Sequence, residues 1–251
     1  MAKRPTGVVR TGTSNIVLPG NKLQFPEAFR DASRLKYYAS LFNTVEINSS
    51  FYKIPRPGTF VNWAAEVSGD FQFSVKLFKE ITHAKSLLFD PAVISKFMEA
   101  ATCLGKKLGP VLIQFPGKIG IDYYNEVEEI LQQVTRYGGD HAIRIAVEFR
   151  NRSWYIREVH ELLDQYHASL VLHDIPASAT MDVNKGAPFI YMRFHGTKGD
   201  YRGTYENDTL DIYAEKIREW KASGKDVYVY FNNTIGAAFD NAITLSQKLA
   251  T

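Results

Sequence analysis

Arg144-Ile-Ala-Val-Glu-Phe-Arg-Asn-Arg-Ser-Trp154 is the stretch that decides how the rest of the chain is read. Residues 143–147, apolar but for Arg144, are a short run rich in branched side chains, the pattern of a strand buried on both faces. Glu148 and Arg150 then stand at i and i+2, so both point to one face just as the strand ends. Ser153 is placed to cap a following helix, with Trp154 in its first turn. A buried strand that ends in charges and turns into a helix is the unit of α/β folds, whose ligands bind at the carboxyl ends of strands. The plain alternative for Glu148 and Arg150 is an ion pair that closes a barrel mouth and does nothing else.

Outward from this stretch the same change of character recurs. Residues 8–13 read as a first strand and 43–48 as a second, with Glu46 and Asn48 on one side of it. Residues 71–76 end in Lys76, 111–114 in Gln114 before Pro116, and 169–172 in His173-Asp174. Residues 189–194 run into Arg193 and His195, and 227–231 into Asn232-Asn233. Helical spacing separates most of them: 33–41, a short helix capped by Thr59, 91–104 behind Asp90-Pro91, 122–134 capped by Asp122, one ending near Tyr166, 209–222, and 237–249. Residues 175–188 show no helical period, so the crossover helix after strand six is expected to be missing or reduced.

Eight strands alternating with helices imply a parallel sheet, and 251 residues match the roughly 250 of one (β/α)8 barrel. The expected architecture is therefore a single TIM-barrel domain over 1–251. An open doubly wound sheet would carry a glycine-rich phosphate turn after its first strand, and Thr11-Gly-Thr-Ser14 is not that fingerprint. At 45% hydrophobic and 23% charged the chain is ordinary globular material, and a net charge of +3 implies no polyanionic partner by itself. The lone Cys103 permits no internal disulfide and reads as a small buried hydrophobe. The first residues lack an apolar leader and no run approaches the ~20 residues of a membrane helix. The expectation is a cytoplasmic protein without a membrane partner, its oligomeric state left open.

With the strand ends placed, the chain resembles the YecE-like family known as domain of unknown function 72. The resemblance rests on Thr11-Gly-Thr-Ser14, Tyr37-Tyr-Ala39, Phe42-Asn-Thr-Val-Glu-Ile-Asn48, Ser50-Phe-Tyr-Lys-Ile-Pro55, Phe73-Ser-Val-Lys76 and Ile81-Thr-His83. It continues through Leu108-Gly-Pro110, Gln114-Phe-Pro116, Val147-Glu-Phe-Arg150, Ser153-Trp154, Asp174, Arg193-Phe-His-Gly196 and Tyr230-Phe-Asn-Asn233. The first loop departs from the family's aromatic, glycine-rich turn. The resemblance implies a TIM barrel and no particular reaction, and a fold alone supplies none.

Candidates for the mouth are Glu46, Asn48, Lys76, His83, Gln114, Glu148, Arg150, Asp174, Arg193, His195 and Asn233. Glu46 and Glu148 can act as an acid–base pair across the barrel, and His195 titrates near neutral pH. Gln114 stands where common barrel glycosidases place an acid, which argues against that chemistry. His173, Asp174, His195, Glu46 and Glu148 are metal-ligand types. Lys76, Arg150 and Arg193 at the same mouth fit an anion better than a dication, so no metal and no cofactor is expected. Loop aromatics Phe51, Tyr52, Trp154, Tyr201 and Tyr205 can stack on a base or sugar, though each can equally pack against the barrel. Two function classes stand. One is an enzyme acting on a small phosphorylated or carboxylated ligand, with Glu148 or Glu46 as base, His195 beside it, and Lys76, Arg150, Arg193, Asn48, Gln114, Asp174, Asn233, Trp154 and Tyr52 binding. The other is a nucleic-acid binding or processing protein resembling barrel abasic-site endonucleases. A lid over residues 196–207 would favour the first, and steep salt dependence of binding the second.

Overall fold

The computed structural model describes residues 6–138 and 142–250. Its strands are β1 (Val9–Thr13), β2 (Thr44–Ile47), β3 (Gln72–Lys76), β4 (Leu108–Phe115), β5 (Ile145–Phe149), β6 (Ala168–His173), β7 (Phe189–Phe194) and β8 (Asp226–Phe231). All neighbouring pairs are parallel, in the order β1-β8-β7-β6-β5-β4-β3-β2. The helices are α1 (Arg34–Leu41), α2 (Ser49–Tyr52), α3 (Pro57–Glu66), α4 (Lys79–Thr82), α5 (Pro91–Ala101), α6 (Tyr124–Thr135), α7 (Arg157–Gln165), α8 (Asn207–Ala222) and α9 (Ala238–Ala250). This is the expected TIM barrel.

The seam between β1 and β2 closes differently from the other seven. A single bridge joins Ser14 to Glu46, with the Asn15 amide donating to the Glu46 carbonyl at 2.7 Å. Below it, side chains stand in for the ladder. Asn43 accepts from the Thr11 amide and donates to the Val9 carbonyl, and the buried Tyr38 hydroxyl accepts from the Thr13 amide at 2.7 Å. Gly12 makes this possible, because a Cβ there would meet the Thr44 carbonyl oxygen at 2.3 Å. Such an approach excludes every side chain.

Alternation along each strand divides the core in two. One face of the sheet packs with the helices in a continuous apolar layer that includes Val45, Val75, Ile113, Val147, Leu172, Met192 and Val229. The other face fills the barrel with Leu112, Ala146, Val171, Phe189, Tyr191, Tyr228 and Tyr230. Buried tyrosines need partners for their hydroxyls. Tyr230 pairs with Thr44 Oγ1 at 2.7 Å, Tyr191 with Ser74 Oγ at 2.7 Å, and Tyr228 donates to Gln72 at 2.6 Å. The interior is thus a packed, hydrogen-bonded plug that forms the floor beneath the strand ends.

The crossover after β6 lacks a helix, as expected. Asn184 holds it instead, accepting from the Leu170 amide and donating to the Ala168 carbonyl and Asp164. Three expected caps are corrected. Asn151, not Ser153, caps the single 3-10 turn Arg152–Trp154, and α7 starts only at Arg157. Ser153 Oγ accepts from the Ile121 amide. The helix credited to Thr59 starts at Pro57 behind Arg56, and Asp122 lies inside a 3-10 turn that precedes α6. In each case a proline or a short 3-10 turn sets the start, which spacing alone does not reveal. Asp90 caps α5 as expected, and Ser33 caps α1.

Candidate functional site

Inward positions at the strand ends meet at the carboxyl mouth in two tiers. The lower tier is sealed: Glu46, Glu148, Arg193 and His195 are at most 1% exposed. Arg193 organises it. Its Nε and Nη2 donate to both oxygens of Glu46 at 2.9 and 2.8 Å, while Nη1 donates to Glu148 Oε2 at 2.6 Å. Glu46 also accepts from Ser14 Oγ at 2.6 Å and from the Tyr191 hydroxyl at 2.8 Å. Glu148 takes Arg150 Nε on its other oxygen. Burial raises both carboxyls, but the guanidiniums outweigh it: Arg193 lowers Glu46, and Arg150 with Arg193 holds Glu148 well below the ordinary range. Carboxylates held so firmly ionised are weak bases.

His195 extends the network. Arg150 Nη2 lies 3.0 Å from its Nε2, and since a guanidinium only donates, that nitrogen accepts. The proton then sits on Nδ1, 3.2 Å from Asp174 Oδ1, which also accepts from the His195 amide at 2.8 Å. The Tyr205 hydroxyl donates to Asp174 Oδ2 and accepts from the Gly196 amide. The chain Arg150–His195–Asp174–Tyr205 is fully satisfied with a neutral imidazole. Burial, reinforced by Arg193 and Arg150 against the pull of Asp174, lowers His195 to about 4.

The upper tier is partly open. Lys76, Arg150, Asp174, Asn48 and His83 all keep some exposure. Lys76 Nζ donates to Gln114 Oε1 at 2.8 Å and lies 4.1 Å from the centre of the Phe51 ring. No carboxylate among the described residues comes within ion-pair distance of it. Burial, with Arg193 adding repulsion, lowers this amine to about 7. His83 packs edge-on against Phe51 and bonds Thr82. Burial and the charges of Lys76, Lys118 and Arg150 lower it to about 4. Asn48 Oδ1 is a buried acceptor without a partner among the described residues. The cationic side of the mouth therefore lies over β3, β4 and β5.

The structure also separates residues that the sequence grouped. Asn233 points away from the mouth, donating to the Gly203 carbonyl and to Asn241 on α9. Trp154 is buried in the outer layer, stacked on Phe149 at 4.4 Å with its indole N–H on the Ile119 carbonyl. Tyr52 is 69% exposed at the rim, edge-on to Phe51. Loop 196–206 is no free lid: the Tyr201 amide bonds the His195 carbonyl, and the Ile235 and Ala237 amides bond Tyr201 and Gly203. Ser14 and Tyr191 were missed, and Tyr205, read as a stacking aromatic, instead donates its hydroxyl to Asp174. Tyr191 could have been found from its i, i+2 spacing to Arg193. No three His, Cys, Asp or Glu among the described residues gather as a metal-ligand set. No helix of the described chain is long and apolar enough to cross a membrane.

The model of the family described as "Protein of unknown function DUF72" matches residues 10–251. The chain belongs to the DUF72 family. Among curated relatives, the UPF0759 protein YunF of Bacillus subtilis is 28% identical over 90% of this chain and 89% of its own length. The UPF0759 protein YecE of Escherichia coli K12 is 29% identical over 34% of this chain and 32% of its own. A DUF72 protein of Enterococcus faecalis V583 superposes with a TM-score of 0.78 at 24% identity, over 97% of this chain and 96% of that one. A DUF72 protein of Thermotoga maritima gives 0.75 at 25% identity, over 97% and 100%. These relatives fix family and fold for this DUF72 chain and assign it no reaction.

Proposed function

We propose that this DUF72 chain is an enzyme that binds a small phosphorylated or carboxylated ligand at the carboxyl mouth of its barrel and acts on it by acid–base chemistry. The observation that carries this reading is the contrast between the two tiers. Glu46, Glu148 and Arg193 satisfy one another in a sealed layer, while above them Lys76 has no carboxylate within ion-pair distance among the described residues and keeps partial access to solvent. Arg150 is anchored by Glu148 and His195, so its guanidinium is oriented before any ligand arrives, and a fixed fork suits carboxylate and phosphate. Asn48 Oδ1 offers an open acceptor.

Roles follow from protonation. A base must change state near working pH. Glu46 and Glu148 do not, so their part is to hold Arg193 and Arg150. His195 spends both ring nitrogens on Arg150 and Asp174 and positions Arg150. Lys76, lowered to about 7, is the group able to exchange a proton with the ligand.

A thermal-shift screen of small phosphates, small carboxylates and single-stranded oligonucleotides tests this on the wild type and Arg150→Met. A cognate anion at a hundredfold its Kd adds about 2.7 kcal/mol to stability, and Arg150→Met should lose that gain. Protection by oligonucleotides alone, falling steeply with salt, would replace the reading with nucleic-acid binding.

A further inference from the structure

Resting on that reading, we infer that Lys76 is a covalent nucleophile whose amine forms an imine with the carbonyl group of a small keto or aldehyde acid. Three features of its surroundings converge on this. Lys76 is the last residue of β3 and reaches the mouth with no carboxylate among the described residues within ion-pair distance, Glu148 and Glu46 being engaged by Arg150 and Arg193. Phe51 covers it at 4.1 Å and excludes water from one side. Its hydrogen-bond acceptor is Gln114, a neutral amide oxygen at 2.8 Å. An amine that gives one N–H to an amide keeps its lone pair free. A desolvated lysine beside other cations is the usual setting for an amine nucleophile, and its ionisation near neutrality agrees with that setting.

The neighbouring strands supply the rest. Gln114 pairs in register with Glu148, and Arg150 follows two residues later. The amine, its amide anchor and a guanidinium therefore come from three adjacent strand ends, spaced ~4.8 Å apart from strand to strand. A carboxylate on Arg150 would bring the adjoining carbonyl of a 2-oxo or short aldehyde acid towards Lys76. The lone pair of Nζ adds to the carbonyl carbon, and the π pair moves to oxygen. A proton passes from nitrogen to that oxygen to give the carbinolamine. This loses its hydroxyl with the remaining N–H proton as water and leaves C=N. One water is released, and nothing is oxidised or reduced.

The test uses the intact chain with pyruvate and glyoxylate as probes and cyanoborohydride to trap any imine, read by peptide mass spectrometry at neutral pH. At pH 7 an ordinary lysine of pKa about 10.4 is almost wholly protonated. Lys76 should therefore gain the reduced adduct at least about tenfold faster than the exposed Lys53, Lys79 and Lys118. Gln114→Glu, which sets a carboxylate against the amine, should erase that advantage while leaving exposed lysines unchanged. Lys76→Met should give no adduct in that peptide. Trapping at Lys76 no faster than at the exposed lysines, in protein whose stability is still raised by small anions, overturns the imine and spares the binding reading. Failure of both trapping and anion protection overturns the two together.

Discussion

Arg193 on β7 grips Glu46 on β2 from across the barrel, with two N–H groups on the two carboxylate oxygens at 2.9 and 2.8 Å. Both residues are sealed from solvent, and Glu148 engages the remaining guanidinium nitrogen. Removing one partner of such a group leaves a buried charge uncompensated. Arg193→Met should lower stability by about 3–5 kcal/mol in urea unfolding, and Glu46→Gln added to it should recover part of the loss. A loss under about 1 kcal/mol would mean that water reaches the network.

Tyr205 carries Asp174 and the Gly196 amide on one hydroxyl. Burial and the neighbouring Asp174 push this phenol well up, so it stays protonated and donates. Tyr205→Phe strands both partners and should cost about 1–3 kcal/mol. It should also loosen His195, visible as faster hydrogen exchange at the His195 and Gly196 amides.

The lowered histidines set an acid limit. His195 and His83 titrate at about 4 in the folded chain, against an ordinary value of 6.5. Between those values the unfolded chain binds more protons, so stability falls as pH is lowered from about 6.5 to 4 and is unaffected by these groups above that window. In His195→Gln the slope of unfolding free energy against pH should be smaller by up to one proton. An unchanged slope would show that His195 is already charged when folded.

Gly12→Ala tests the seam. The added methyl would meet the Thr44 carbonyl at 2.3 Å and the Tyr38 hydroxyl at 2.8 Å. Overpacking of this kind costs about 1–3 kcal/mol or more, and the amides of Thr11 and Thr13 should exchange faster. Retained stability and protection would mean that the seam tolerates opening.

What the sequence made legible follows from period. Strand ends stood out because apolar runs such as Ile145–Phe149 finish in charges, and alternation put Glu46, Glu148 and Arg193 on one inward face. Period cannot tell which charges seal one another and which remain open. That depends on register between strands and on side-chain reach, as where Gln114, in register with Glu148, accepts from Lys76. It also cannot give the direction of a residue just past a strand. Trp154 turns outward because the chain leaves the pleat there, whereas Asn233 shares the parity of the outer-layer Phe231, and both are claimed by packing partners. Tyr205 was invisible as a partner of Asp174 because 31 residues separate them and only the fold of loop 196–206 joins them.

The most direct test of the account is the ionisation of Lys76, followed by NMR at the side-chain Cε of a chain labelled with 13C-lysine. One lysine signal, absent in Lys76→Met, should titrate at about 7. Phosphate or a small carboxylate should move that titration upward, because an anion beside the amine favours its charged form. If every lysine titrates near the ordinary value of about 10.4, and no small anion moves any of them, the open upper tier is not a ligand site.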